Sequence, residues 1–166
     1  MKSILLLRHA KSSWDDPGLA DFDRPLAKRG LRDAPRMGKA LAKTNLHLDH
    51  VYSSPANRAR STARLVLESA GYQGAIDFDE RIYHASVNEL YSLVRDLPED
   101  EETVMLVGHN PGFEDFASSL CAPTSRGASL RFPTAAMACF DVETRSWSNV
   151  KPSMATLQWF IIPKIL

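Results

Sequence analysis

Ser3-Ile4-Leu5-Leu6-Leu7-Arg8-His9 and Thr103-Val104-Met105-Leu106-Val107-Gly108-His109 decide the fold. Each is a short apolar run bounded by polar residues, and each ends on a histidine. Ser3–Leu7 and Thr103–Val107 therefore read as strands buried on both faces, the habit of a parallel sheet. His50–Tyr52 is a shorter run of the same kind. Helical patterns lie between these runs. Leu31 to Thr44 has apolar residues at helical spacing, with Pro35 expected in the first turn or so, or else bending the helix. Ser54-Pro55 reads as a start signal, Ser54 as N-cap and Pro55 at the first helical position. That helix runs through Ala59, Ala63, Val66 and Leu67 and stops near Gly71. Val87 to Leu97 repeats the pattern, and another helix is expected after Pro111 through Phe113, Phe116 and Leu120. Alternating strands and helices predict an α/β layered fold with a mainly parallel sheet. Beyond Pro123 the pattern changes: Ala136–Val142 and Thr156–Ile162 read as later strands, antiparallel ones at an edge.

The 166 residues, 44% of them hydrophobic, are enough for one core, so residues 1–166 are expected to form a single domain. Lys plus Arg equals Asp plus Glu at 20 each, which gives no global attraction to nucleic acid or an anionic membrane. Affinity for anions must come from a local cluster. Cys121 and Cys139 form no CxxC pair and read as reduced thiols. The apolar run Ile4 to Leu7 is too short for a signal-peptide core or a membrane span, so a reducing cytoplasm is the expected setting.

In open α/β sheets, ligands sit outside the carboxyl ends of the strands. His9 and His109, delivered there by separate strands, can face one another across a pocket. Ser53-Ser54-Pro55-Ala56-Asn57-Arg58 supplies a third piece, where a strand gives way to a helix. Arg58 can lean back toward that helix's N-terminus, which favours anions, and its guanidinium matches phosphate oxygens. Arg60 and Arg64 read as a solvated basic face. Arg24 is open between a surface loop arginine and a binding residue. His47, His50 and His84 read as loop or surface histidines outside the pocket. Trp14 is a candidate for the pocket entrance, while Trp147 and Trp159 read as packing the late strands. Asn110 is a candidate cap for the helix after His109.

These residues carry a resemblance. Leu7-Arg8-His9-Ala10 resembles the Arg-His-Gly signature of the histidine phosphatase superfamily, with alanine in the glycine position. Ser54-Pro55 with Arg58 and Thr62 resembles its second motif, and Val107-Gly108-His109-Asn110 its third. Arg24-Pro25-Leu26 followed by Gly30 is similar to the segment between the first two. The short chain resembles the SixA type of phosphohistidine phosphatase. The resemblance implies a phosphoglycerate mutase-like three-layer sandwich with helices flanking the sheet. It implies that His9 attacks phosphorus, that a phosphohistidine intermediate forms, and that water releases phosphate. Arg8, Arg58 and His109 would bind the non-bridging oxygens, with Ser12 and Arg24 as further substrate-binding candidates. His9 must be neutral, and its other ring nitrogen needs an acceptor to fix the tautomer. No cofactor or metal is implied.

Asp79-Glu80-Arg81-Ile82-Tyr83 resembles the segment that holds the general acid in the phosphoglycerate mutase branch, with Glu80 at the matching position. Glu80 stays open between that acid and an exposed turn carboxylate. The short stretch between Ile82 and Thr103 leaves little material for a lid, which favours phosphohistidine on a signalling or phosphotransfer protein. The alternatives are a small-molecule phosphatase using Glu80, and a phosphoprotein-binding module without turnover. The expected partner is thus a phosphorylated protein or a small phosphorylated molecule, with oligomeric state open. Ala10 is expected to resist backbone angles that glycine permits, so the local turn can differ.

Overall fold

The elements of the computed structural model, in chain order, are β1 (Lys2–Arg8), α1 (Lys28–Ala42), β2 (His50–Ser53), α2 (Asn57–Ala70), β3 (Ile76–Phe78), α3 (Val87–Arg95), β4 (Thr103–Gly108), α4 (Gly112–Cys121), β5 (Met137–Val142) and β6 (Ala155–Ile161). The structure describes residues 1–122 and 129–166; the break expected at Pro123 lies outside them. One sheet runs in the order β3-β2-β4-β1-β5-β6. β3, β2, β4 and β1 pair in parallel, while β5 pairs antiparallel with β1 and with β6. The two late strands thus extend one edge, as their position in the sequence predicted.

Strand geometry sends alternate side chains to opposite faces. Ile4, Leu6, Val104, Leu106 and Phe140 pack on one face, against Leu90, Val94, Phe113 and Phe116 from α3 and α4. Leu5, Leu7, Met105, Val107 and Met137 pack on the other, against Met37, Leu41, Ala63 and Val66 from α1 and α2. Both faces are covered, which is why the strands read as unbroken apolar runs.

This topology positions the site. The chain leaves β1 toward α1 on one face and leaves β4 toward α4 on the other. β1 and β4 are neighbours, so their carboxyl ends flank the point where connections diverge, the crevice in which such sheets bind ligands.

Several local expectations need correction. α2 begins at Asn57, with Ala56 at the N-cap position, two residues later than Ser54 as cap would give. Ser54 instead directs its hydroxyl to His109. Pro35 lies inside α1 beyond its first turn, because that helix starts at Lys28, before Leu31. Asn110 does not cap α4; its amide donates to the Phe132 carbonyl at 3.0 Å. β3, only three residues long, had no visible pattern. Ala10 has no positive φ, so alanine there carries no left-handed strain. The stop at Gly71 is as expected, with φ 77° in the left-handed region that glycine tolerates.

Candidate active site

β1 and β4 are paired in register with Arg8 beside Gly108, and the His9 amide continues the ladder to the Gly108 carbonyl at 3.0 Å. That continuation places His9 and His109 side by side. Their rings lie 5.1 Å apart between centroids and are tilted by 53°. Both are buried, His9 at 8% exposure and His109 at 5%.

The His9 tautomer follows from its hydrogen bonds. Nδ1 lies 2.7 Å from the Ala10 carbonyl oxygen, an acceptor, so Nδ1 carries the proton and donates. The lone pair then sits on Nε2, where Arg58 Nε approaches at 3.4 Å. Burial pushes the His9 imidazole down to about 4; the Ala10 carbonyl opposes this, and the charges of Arg58, Arg8 and Arg24 reinforce it. His9 is therefore neutral at pH 7.

His109 Nε2 is 2.7 Å from Ser54 Oγ. The Ala56 amide donates to that same hydroxyl oxygen at 3.3 Å, and the Ser54 proton has no other acceptor among the described residues, so we assign it to His109 Nε2. The His109 proton then resides on Nδ1, which is buried without a partner among the described residues. Burial first, then the proximity of His9, Arg58 and His84, pushes His109 down to about 2, with Asp21 opposing. Arg8 donates through Nη1 to the Phe132 carbonyl at 2.7 Å, while its Nε is buried without a partner among the described residues. Two buried N–H groups thus await an acceptor beside His9, the condition of an anion site.

Arg58, 4% exposed, is held on every edge. Besides reaching His9, it donates through Nη1 to the Asp21 carbonyl at 2.6 Å and through Nη2 to Asp21 Oδ2 at 2.9 Å. Thr62 ties the first two motifs together. Its hydroxyl donates to the Arg58 carbonyl at 2.7 Å and accepts from the Ala10 amide at 2.9 Å.

Arg24 is buried rather than a surface loop arginine. It hydrogen-bonds the Ser12 hydroxyl, the Ser13 carbonyl at 3.1 Å and Asp21 Oδ1 at 2.9 Å, and its guanidinium lies 3.3 Å from the Trp14 ring centroid. Ser12, also buried, reaches the site through Arg24. Trp14 remains 70% exposed beside it. Glu80 opens the 3-10 turn Glu80–Ile82; it is exposed, and its carboxylate has no hydrogen bond or ion pair among the described residues. Arg60 and Arg64 flank Phe78 at 6.0 and 5.9 Å.

Three residues of this neighbourhood were missed in the sequence. Asp21, on the 3-10 turn Asp21–Asp23, joins Arg58, Arg24 and Tyr83. Burial raises its carboxyl, but the Tyr83 and Arg58 hydrogen bonds and the charges of Arg58 and Arg24 outweigh that and hold it below the usual range. Tyr83 donates its hydroxyl to Asp21 Oδ2 at 2.9 Å. His84 is not a bystander: its ring centroid is 6.1 Å from that of His109. By contrast, His50 sits where β2 begins, 3.0 Å from Asp77, and His47 is exposed. Asp21 offered one local signal, an acid three residues before Arg24; nothing in the sequence paired it with Arg58.

Among the described residues no group of three or more His, Cys, Asp or Glu side chains is arranged to hold a metal ion, and no helix is long and apolar enough to cross a membrane.

Two histidines at a switch point, set among buried arginines, define a phosphoryl-handling class, and comparison gives it a family. Residues 4–110 match the histidine phosphatase superfamily (branch 1), and the chain belongs to that superfamily. An uncharacterized protein of Mycobacterium tuberculosis (strain ATCC 25618 / H37Rv) is 33% identical over 95% of this chain and 100% of its own length. Two solved structures assigned as SixA phosphohistidine phosphatases superpose along almost the whole chain. The one from Agrobacterium tumefaciens is 28% identical with a TM-score of 0.79, covering 98% of each chain. The one from Nakamurella multipartitia is 28% identical with a TM-score of 0.79, covering 98% of this chain and 96% of its own. The fold is the phosphoglycerate mutase-like sandwich, and family and neighbours together support phosphatase activity.

Proposed function

We propose that this protein is a metal-independent phosphatase that accepts a phosphoryl group on His9 Nε2, passes it to water, and takes phosphohistidine on a protein as substrate. The observation that carries the reading is the fixed tautomer of His9: with Nδ1 donating to the Ala10 carbonyl at 2.7 Å, the lone pair is on Nε2 beside Arg58. In the first step Nε2 forms a bond to phosphorus and the bond from phosphorus to the leaving group breaks. In the second, water attacks, phosphate departs, and the electron pair returns to Nε2. The unpartnered N–H groups of Arg8 and His109, together with Arg58, are suited to the phosphoryl oxygens as charge redistributes. An incoming anion would compete with Asp21 for Arg58.

Two things support a protein-borne substrate. The chain between Ile82 and Thr103 holds only α3, so this segment adds no insert over the site. The SixA neighbours are assigned as phosphohistidine phosphatases. A second reading, a small-molecule phosphatase, is favoured by Glu80, whose side chain has no hydrogen bond or ion pair among the described residues and in its protonated form would give its proton to an ester oxygen.

The test is phosphate release from a phosphohistidine protein with chelator present, wild type beside His9→Ala. Release by wild type alone supports the reading; equal release by both overturns it. Glu80→Gln separates the two substrate classes. A large loss on aryl or alkyl phosphates with little loss on phosphohistidine supports the first, and equal loss on both sinks it.

A further inference from the structure

Outward from His109 the pocket wall is made of rings. Tyr83 meets His109 edge-on at 5.5 Å between centroids. His84 lies over Tyr83 at 4.0 Å, and Phe22 packs edge-on against Tyr83 at 5.3 Å. Exposure rises along this wall, from 5% at His109 to 37% at Phe22, and the His84 side chain is 62% exposed. The Asp21 carboxylate borders the rings, 2.9 Å from the Tyr83 hydroxyl and 3.6 Å from His84 Nε2. His9 is buried, and these rings open to solvent beside its neighbour His109.

We propose that Phe22, Tyr83 and His84, bordered by Asp21, form a leaving-group subsite that recognises a planar nitrogen ring, the imidazole of phosphohistidine. The proposal rests on the reading that His9 takes the phosphoryl group. A flat ring gains from edge-to-face or offset contact with other rings. A protonated imidazole is also a cation, favoured over aromatic faces and beside a carboxylate, which accepts its N–H. An alkyl alcohol offers neither feature. The wall explains why two turns remote in sequence, around Phe22 and around Tyr83-His84, converge on the mouth with rings left open to water.

The test compares two small substrates with the same P–N bond, phosphoimidazole and phosphoramidate, the second having no ring. kcat/KM is measured for both with wild type, Phe22→Leu and His84→Asn. Asparagine is chosen because it tolerates the positive φ of residue 84, 55°. The readout is the ratio of phosphoimidazole to phosphoramidate turnover, which cancels a general loss of active fold. Each variant is expected to lower that ratio about threefold to tenfold, the range of one aromatic contact. Tyr83→Phe keeps its ring and is expected to hold the ratio while disturbing Asp21. A wild-type ratio that neither Phe22→Leu nor His84→Asn changes overturns the subsite and leaves the phosphohistidine reading standing. A wild type inert toward both compounds but active on an aryl phosphate overturns that reading, and the subsite falls with it.

Discussion

At the scale of single residues, the neutral form of His9 sets the response to acid. Attack needs an unprotonated Nε2, and burial with nearby arginines holds the imidazole down to about 4. Turnover is therefore expected to persist as pH falls through 6.5, with the acidic limb of kcat/KM centred near 4; a limb near 6.5 would show His9 in ordinary solvent. Stability responds differently. An unfolded histidine titrates near about 6.5, so below that pH the unfolded chain takes up protons that folded His9 and His109 refuse. Stability is complete above about 6.5 and is lost as pH falls, through the window toward 4 for His9 and toward 2 for His109, by roughly 1 kcal/mol per pH unit for each histidine. Chemical denaturation at pH 7, 6 and 5 measures this, and His109→Gln should flatten the slope. Arg58→Ala should lower kcat/KM by about 10²- to 10³-fold, the scale of one lost donor to a developing negative charge. The histidines and Arg58 were legible because each follows a strand or opens a helix at the sheet's carboxyl edge. Asp21 and His84 were not, since only the folded turns bring them to Arg58 and His109.

At the scale of elements, periodicity located the long helices and the buried strands and gave the starts of β2, α3 and β4, but it misplaced the starts of α1 and α2. Ser54-Pro55 carries a sound local capping signal, yet the Ser54 hydroxyl is claimed by His109, a partner 55 residues away. Tertiary demand overrode local preference at the place where the site is built. The opposite happened at α3, where Ser86 and Glu89 form a reciprocal capping box with nothing competing for either. Close packing of α1 on α2 was also hidden, although glycines mark it. A Cβ on Gly38 would lie 2.2 Å from the Val66 carbonyl oxygen and 2.6 Å from Ser69 Cβ. Gly38→Ala must push the helices apart and is expected to cost about 1–3 kcal/mol despite the better helix propensity of alanine. A lower urea midpoint with unchanged slope would confirm that; a stabilised protein would show that the two helices slide freely.

At the scale of the whole molecule, a net charge of zero conceals a division of labour between the two ends of the sheet. The carboxyl end holds Arg8, Arg24 and Arg58 around the histidines, and the amino end is a structural lock. Lys2, wholly buried, donates through Nζ to the carbonyls of Glu99 at 2.6 Å and Glu101 at 2.9 Å, and to Glu102 Oε1 at 3.3 Å. Its ammonium lies 5.2 Å from the Trp147 ring centroid, and Trp147 in turn donates to the Glu101 carbonyl at 2.8 Å. In the sequence a lysine ahead of an apolar run looks like the polar flank of a strand, because its acceptors lie on a loop about a hundred residues away. Lys2→Met keeps the apolar stem and removes the charge; the Glu99 carbonyl and the Glu102 carboxylate lose this donor while the Glu101 carbonyl keeps Trp147, so it should destabilise the fold by about 1–3 kcal/mol. Lys2 and Arg8 occupy opposite ends of β1, about 20 Å apart at the usual rise per residue. The loss should therefore appear in the denaturation midpoint and not in kcat/KM per folded molecule. A variant with intact stability would mean that water replaces the ammonium at no cost. One that kept its midpoint but lost turnover would mean that the two ends of β1 are mechanically coupled, and that the amino end cannot be treated as scaffold alone.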